Sequence, residues 1–476
     1  DSNATQVARH LRLNLTGSAG GSSNLVVPTL ANGKNYYIKN SSTTAITVKT
    51  ASGTGILVPA GKSASLYQDG TNVVEAADYS SAAYTFASDI TVNGVTVGKG
   101  LASGSLNTAL GVNAMNAITS GNSNTGLGNE ALGAATTGGN NTAVGSFSLG
   151  AAILTGSENT SVGSSALRNT TTGSNNTAVG YLALNTNTTG TQNTAIGDDA
   201  LKDNTTASYN TAVGKNALDA NTTGSPNTAV GWNSLSANTT GGSNTAMGYL
   251  ALALNTTAAN NTAVGREALT ANTEGASNTA VGEAALDANT TGGSNAAVGR
   301  DALGANTTGS FNQAFGRNAL LTNTTGQYNN AFGNDALKVN TASSNSAFGH
   351  AALVANTTGS LNTAVGANAL ATNVSGGDNV AVGNNALTVS TGSRNTALGY
   401  NAMTDTTSGQ DNTAVGTSAL GNNTTASNNT AVGKSALTAN TTGASNTAVG
   451  RESLSANTTA NQNTAVGMYG LRQTTT

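Results

Sequence analysis

Cysteine is absent from this 476-residue chain, so disulfides and thiolate chemistry are both excluded. Histidine is almost absent, with His10 and His350 alone. Charged residues make up 8% and aromatics 4%, where a globular core of this length normally draws on large side chains. The net charge of −3 offers no basic surface, so nucleic acid is not an expected partner. No run of about 20 apolar residues occurs, so membrane insertion through a spanning helix is not expected. No leader peptide is visible at Asp1. Low charge and little variety are also marks of disorder, and the pattern of what is present argues against that.

What is present is a repeat. Asn176-Thr177-Ala178-Val179-Gly180 is followed by Ala183-Leu184 and by Asn187-Thr188-Thr189-Gly190, and 17 residues later it returns as Asn193-Thr194-Ala195-Ile196-Gly197. There are 22 copies, from Asn107 to Asn463, filling about three quarters of the chain. A short period sustained this long marks a solenoid. Numbered from the first Asn, position 1 is always Asn and position 5 always Gly. Position 3 is Ala, with Gly126 and Ser161 as exceptions, and position 8 is always small. Position 4 is apolar: Val in most copies, with Leu110, Ile196, Met247, Phe315, Phe332 and Phe348 among the others. Position 9 is always Leu or Met. The period changes three times, to 18 at Asn141 and to 16 at Asn329 and Asn379, each time after position 9. Loops accept length changes and packed positions do not. Each repeat therefore divides into a core half and a turn half.

One repeat reads as one coil. Thr-Ala-Val is a short strand with Thr and Val on one face and Ala on the other. Gly at position 5 permits a bend. Ala-Leu opens a second stretch, extended or helical, and Asn-Thr-Thr-Gly closes the coil through side-chain hydrogen bonds to backbone. Stacking sets Val over Val and Leu over Leu, so the expected repeat core includes Val179, Leu184, Ile196, Leu201, Val213 and Leu218. At a coil spacing of ~4.8 Å the stack would run roughly 100 Å. The strictly small positions 3 and 8 imply a close neighbour, either the opposite wall of a thin roll or another chain.

Residues 1–75 differ. Leu11–Leu15, Tyr37–Lys39 and Ala45–Lys49 alternate with period two, and turn residues separate short β-branched runs. This reads as a small antiparallel β-sandwich, with Tyr36, Tyr37 and Tyr67 in core or edge packing. Residues 76–106 form the next segment, a linker and a hairpin adaptor. Within it, Val92-Asn93-Gly94-Val95 is a strong type I′ hairpin signal. Residues 107–476 are the shaft. The fold class is thus all-β: a small sandwich, a hairpin adaptor and a long β-solenoid or β-roll.

The motif Asn-Thr-Ala-Val-Gly-x-x-Ala-Leu with Asn-Thr-Thr-Gly resembles the repeat arrays of phage tail-fibre proteins and is similar, more distantly, to the head repeats of trimeric autotransporter adhesins. The lead-in Ile90–Gly98 resembles the segment before such arrays. Residues 24–75, through Val58-Pro59-Ala60-Gly61-Lys62 and Tyr67–Val74, resemble a small β-domain of phage tail proteins. The resemblance implies a parallel homotrimeric fibre in the virion, outside the cell. Its N-terminal domain would dock on other tail or baseplate proteins. Many such fibres end in a self-cleaving chaperone; nothing like one follows Thr476, so it is removed, absent or outside this sequence.

Catalysis needs a constellation, and none is visible. Paired carboxylates across a cleft are not suggested by Asp198, Asp199, Glu267, Glu283, Asp301 and Asp335, which sit at variable positions and read as a solvated face. A calcium-binding roll needs an Asp in every turn, which is missing. The recurring Gly-x-x-Gly spacings follow from the period. No enzyme activity, cofactor or metal is expected. Aromatics at position 6 (Tyr181, Trp232, Tyr249, Tyr400) are candidates for stacking on a host-surface glycan, or they pack on adjacent coils; Tyr209, Phe311 and Tyr328 lie in turns. The expected function is a structural shaft that projects a receptor-binding end. The alternative is a binding solenoid, either a surface adhesin or an ice-binding protein. Ice binding needs a regular Thr ladder, and Ala296, Gln313, Asn330, Ser346 and Val380 interrupt position 2.

Overall fold

The computed structural model describes residues 11–16, 23–28, 34–68, 72–77, 90–99 and 106–472. Every regular element among them is a β-strand. The chain divides into two compact units, Asp1–Ala87 and Ser88–Thr476.

The first unit is a sandwich. One sheet orders β1 (Leu11–Leu15), β3 (Lys34–Asn40), β6 (Ser63–Gln68) and β7 (Val73–Ala77); the other orders β2 (Ser23–Val27), β4 (Ile46–Thr50) and β5 (Gly55–Val58). Alternation puts Tyr36, Ile38 and Leu66 from one sheet against Val27, Val48 and Val58 from the other. The expected antiparallel arrangement is corrected in part. β1 runs parallel to β3 and β2 parallel to β4, and the remaining pairs are antiparallel. The chain alternates between sheets through its first four strands, so each parallel partner is reached by way of the opposite sheet. Tyr36 is buried, while Tyr37 and Tyr67 lie on the outer face, with Arg12 5.6 Å over the Tyr37 ring.

The second unit opens with the hairpin β8 (Ile90–Val92) and β9 (Val95–Gly98). Asn93 and Gly94 take φ of 50° and 82°, the signature of a type I′ turn. β9 pairs antiparallel with β10 (Thr108–Gly111), so the hairpin covers the first edge of the stack, which would otherwise be an open template for pairing. Ala76 and Ala77, expected in the linker, belong to β7; residues 78–89 and 100–105 of that segment lie outside the described residues.

From β10 to β31 (Thr464–Val466), 22 short strands form one parallel ladder, each repeat in register with the next. The chain is a β-solenoid of short coils. The Ala-Leu stretch is neither strand nor helix but a run of turns. Leu182 and Leu184 have φ of 56° and 51°, and Gln192, at position 17, has 58°. Left-handed non-glycine residues cost about 1–2 kcal/mol each. Here each points its N–H along the stack: Leu184 N donates to Ala200 O (3.0 Å) in the next coil, and Leu182 N to Ser164 O (3.1 Å) in the preceding one. The coil turns its corners while keeping the axial hydrogen bonds that a free coil would lack.

The core is thinner than expected. Ala178, Ala183 and Leu184 are buried, as are their equivalents in a continuous cluster from Ala109 to Ala465. The small position 3 faces the opposite wall of its own roll: Ser148 Oγ, at position 8, donates to Ser161 Oγ, at position 3, at 2.7 Å. That settles the close neighbour as the roll itself. Leu201 and Leu218 are fully buried as expected. The expectation for Val179, Ile196 and Val213 is corrected. Val179 and Val213 are half-buried and Ile196 is 40% exposed, because Ala, with its opposite side-chain direction, takes the inward place.

Asparagine does the rest of the filling. Asn193 Nδ2 donates to Ala207 O (2.9 Å), and Asn204 Nδ2 donates to the same carbonyl (3.0 Å). Two amides thus brace each coil that carries Asn at position 12 from inside. Their Oδ1 atoms link coils: Asn176 Oδ1 accepts from Asn193 N (3.0 Å), and Asn187 Oδ1 from Asn204 Nδ2 (2.9 Å). Both ladders are buried, so each bond is stronger than in water and each missing one costs more. The second ladder, at position 12, is the less regular of the two. In the 18-residue coil Leu154 fills its slot and Ile153 turns outward. At the two 16-residue coils it breaks, leaving Asn323 Oδ1 and Asn373 Oδ1 without partners.

Candidate functional site

Three surface features of the stack bear on function. The first is the outward face of the parallel sheet, built from positions 2 and 4. Neither position carries a charge in any of the 22 coils. Ile196, Met247 and Phe348 are 40%, 44% and 41% exposed. Phe315, Phe332 and Phe348 stack on one another with ring centroids 4.7 and 5.0 Å apart. An uncharged apolar column running the length of a sheet is what an interface looks like before its partner arrives.

The second feature is the column at position 6. The fold does not gather the four aromatic candidates. Trp232 and Tyr249 are on adjacent coils and stack at 5.0 Å with an interplanar angle of 11°. Tyr181 stands three coils before Trp232, about 14 Å away, and Tyr400 nine coils after Tyr249, about 43 Å away. Phe311 and Tyr328 stack likewise, 5.2 Å apart at 2°. Rings stacked along the axis spend a face on each other and turn their edges outward. A sugar ring needs a free aromatic face, which favours the solitary and exposed Tyr181 and Tyr400 over the Trp232–Tyr249 pair.

The third feature is charge. Each of the six carboxylates singled out in the sequence has a cation nearby: Lys215 at 3.0 Å from Asp198, Lys202 at 3.7 Å from Asp199, Arg266 beside Glu267 and Glu283, Arg300 at 3.0 Å from Asp301, Lys338 at 3.3 Å from Asp335. A hydrogen bond from Arg266 holds the Glu283 carboxyl below its usual range, and one from Asn318 does the same for Asp335. Burial pushes Asp219 and Asp287 up. Such exposed pairs contribute little stability. His350 lies exposed at position 6; His10 lies outside the described residues. Among the described residues no group of three or more His, Asp or Glu side chains is placed to hold a metal, and no helix is long and apolar enough to cross a membrane.

The sequence marked the aromatics but not the buried turn asparagines. Their signal was available: position 12 is Asn in most coils from Asn187 onward and Ile118, Ala135 or Leu154 in the first three, a swap that only an interior slot explains. Compared with protein-family models, curated proteins and solved structures, the chain matches none.

Proposed function

We propose that the protein is a structural shaft, a homotrimeric tail or host-attachment fibre of a virion that holds a receptor-binding end away from the particle. The observation that carries this reading is the uncharged, apolar outward face repeated over all 22 coils. Its period is one coil, so a partner must repeat at the same spacing along roughly 100 Å, and further copies of this chain do so. Three copies with these faces turned inward would bury the column and leave the ion pairs of positions 6, 7, 10 and 17 in water. The sandwich would serve as the docking domain for other tail or baseplate proteins. Isolated Tyr181 and Tyr400 would be open to a host glycan.

The mass of the intact protein in solution tests this, together with the variant Ile196→Asp/Val213→Asp/Val230→Asp. The reading expects three chains for the wild type and a marked loss of assembly for the variant. A single-chain mass for the wild type would refute it. A second reading rests on the same face: threonines in register at position 2 would favour ice, and thermal hysteresis by a single-chain species would select that reading.

A further inference from the structure

The turn asparagines carry a consequence independent of the proposed shaft role. Thirteen of them, from Asn187 to Asn457, stand in Asn-Thr-Thr or, at Asn373, in Asn-Val-Ser. This is the acceptor tripeptide for N-glycosylation, which in secreted proteins marks surface loops. Here every one of the thirteen is fully buried. Asn221 Nδ2 uses both of its hydrogens, on Asn204 Oδ1 (3.0 Å) and Gly224 O (3.1 Å); Asn306 Nδ2 does the same with Asn289 Oδ1 (2.8 Å) and Gly309 O (3.0 Å).

We propose that coil stacking and N-glycosylation are mutually exclusive at these sites, so the shaft folds only in a compartment where N-glycosylation does not reach the unfolded chain. In the transfer, Nδ2 attacks C1 of a sugar on a lipid diphosphate. The C1–O bond breaks, the C1–N bond forms, the amide loses a proton and the lipid diphosphate departs. The product keeps one N–H where the ladder uses two, and carries an oligosaccharide at an atom with no room around it. Modification before folding therefore removes an internal brace and blocks the next coil. Folding first closes the acceptors.

The same stack supplies internal controls. Asn140, Asn175, Asn260 and Asn428 begin Asn-Asn-Thr acceptors at position 17, where the side chain is exposed. A glycan there meets only solvent. The residue two beyond the turn asparagine is dispensable to the ladder: Glu274 stands there in the coil of Asn272, whose Nδ2 still reaches Asn255 Oδ1 (3.0 Å) and Gly275 O (2.9 Å).

The test expresses the full chain in a glycosylating eukaryotic cell, in the cytosol and behind a secretory leader. A third version, secreted, replaces the thirteen acceptor hydroxyl residues (Thr189→Ala, Thr206→Ala and their equivalents, with Ser375→Ala), together with Ser161→Ala, because Asn159-Thr160-Ser161 is a further acceptor with a fully buried asparagine. The original secreted chain is also made with lipid-linked oligosaccharide synthesis blocked. The cytosolic chain is expected to be protease-resistant, and the secreted chain to carry glycans at the turn asparagines and to lose that resistance. Blocking the donor should restore resistance, as should the Ala series while glycans persist at Asn175 and Asn260. Glycans at Asn204 or Asn221 on a protease-resistant shaft would overturn the proposal. So would a resistant secreted chain with those sites untouched, or a secreted chain that stays protease-sensitive when the donor is blocked.

Discussion

The sandwich and the coil stack solve one problem by opposite means. The sandwich buries large, varied side chains such as Tyr36, Ile38 and Leu66 between two sheets, and its order depends on strands far apart in sequence. The stack buries Ala, Leu and Asn, with Met115 and Met403 in two of the Leu places, in a thin core, and each coil touches only its neighbours. What the sandwich gains from volume, the stack gains from repetition: hydrogen bonds along the axis and one amide ladder renewed every coil, with a second in most of them. A defect in the sandwich is therefore one side chain's worth of packing. In the stack it interrupts a column.

Glycine separates the two regions most sharply. Gly248→Ala puts a methyl group onto the Gly265 carbonyl oxygen at a φ of 143°; a loss of about 3 kcal/mol or more is expected from strain and overlap together. Gly61→Ala in the sandwich has φ 72° and open space around it, so about 1 kcal/mol is expected. Chemical denaturation of the two variants would read the contrast, and equal losses would erase it.

Core truncation comes next. Leu218→Ala should cost about 3 kcal/mol, because the walls of the roll are held apart by their backbone ladders and cannot collapse. The ladder itself gives a subtler effect. Asn238→Leu strands Asn221 Oδ1 and removes the acceptor of Asn255 Nδ2, at about 2 kcal/mol. Extending the change to Asn221→Leu/Asn238→Leu/Asn255→Leu should cost well under three times that, since only the ends of the block remain unpaired. Ile118 and Leu154 already occupy equivalent slots. Strict additivity in thermal denaturation would contradict the ladder.

The smallest effect is electrostatic. Burial raises the Asp219 carboxyl above its ordinary value, so the folded state disfavours the charged form. That destabilisation is present above the raised pKa and disappears as pH falls to the unfolded value, about 3.9. Asp219→Asn should raise the midpoint slightly at neutral pH, with the difference closing in acid.

Much of this was legible in the residues. The 17-residue step, the invariant Gly180 and its equivalents, the type I′ hairpin at Asn93-Gly94 and the buried Leu184 column follow from period and turn chemistry. The side-chain alternation of Thr-Ala-Val was legible too, but not which face is inside. Hydrophobicity points to Val179, whereas the roll is thin enough that only Ala178 fits. The left-handed Leu182 and Leu184 were hidden because leucine rarely adopts that region and only the stacked neighbour makes it affordable. The burial of Asn187 was masked because Asn-Thr-Thr-Gly reads locally as a turn, which it also is. The parallel pairs of the sandwich left no local mark, since pairing direction is set between distant segments.

The repeats stack in register into one continuous column, and electron cryo-microscopy of the intact protein would image that column. The expected image is a straight shaft roughly 100 Å long with an axial repeat of about 4.8 Å. A compact particle, or a shaft lacking that axial repeat, would contradict it.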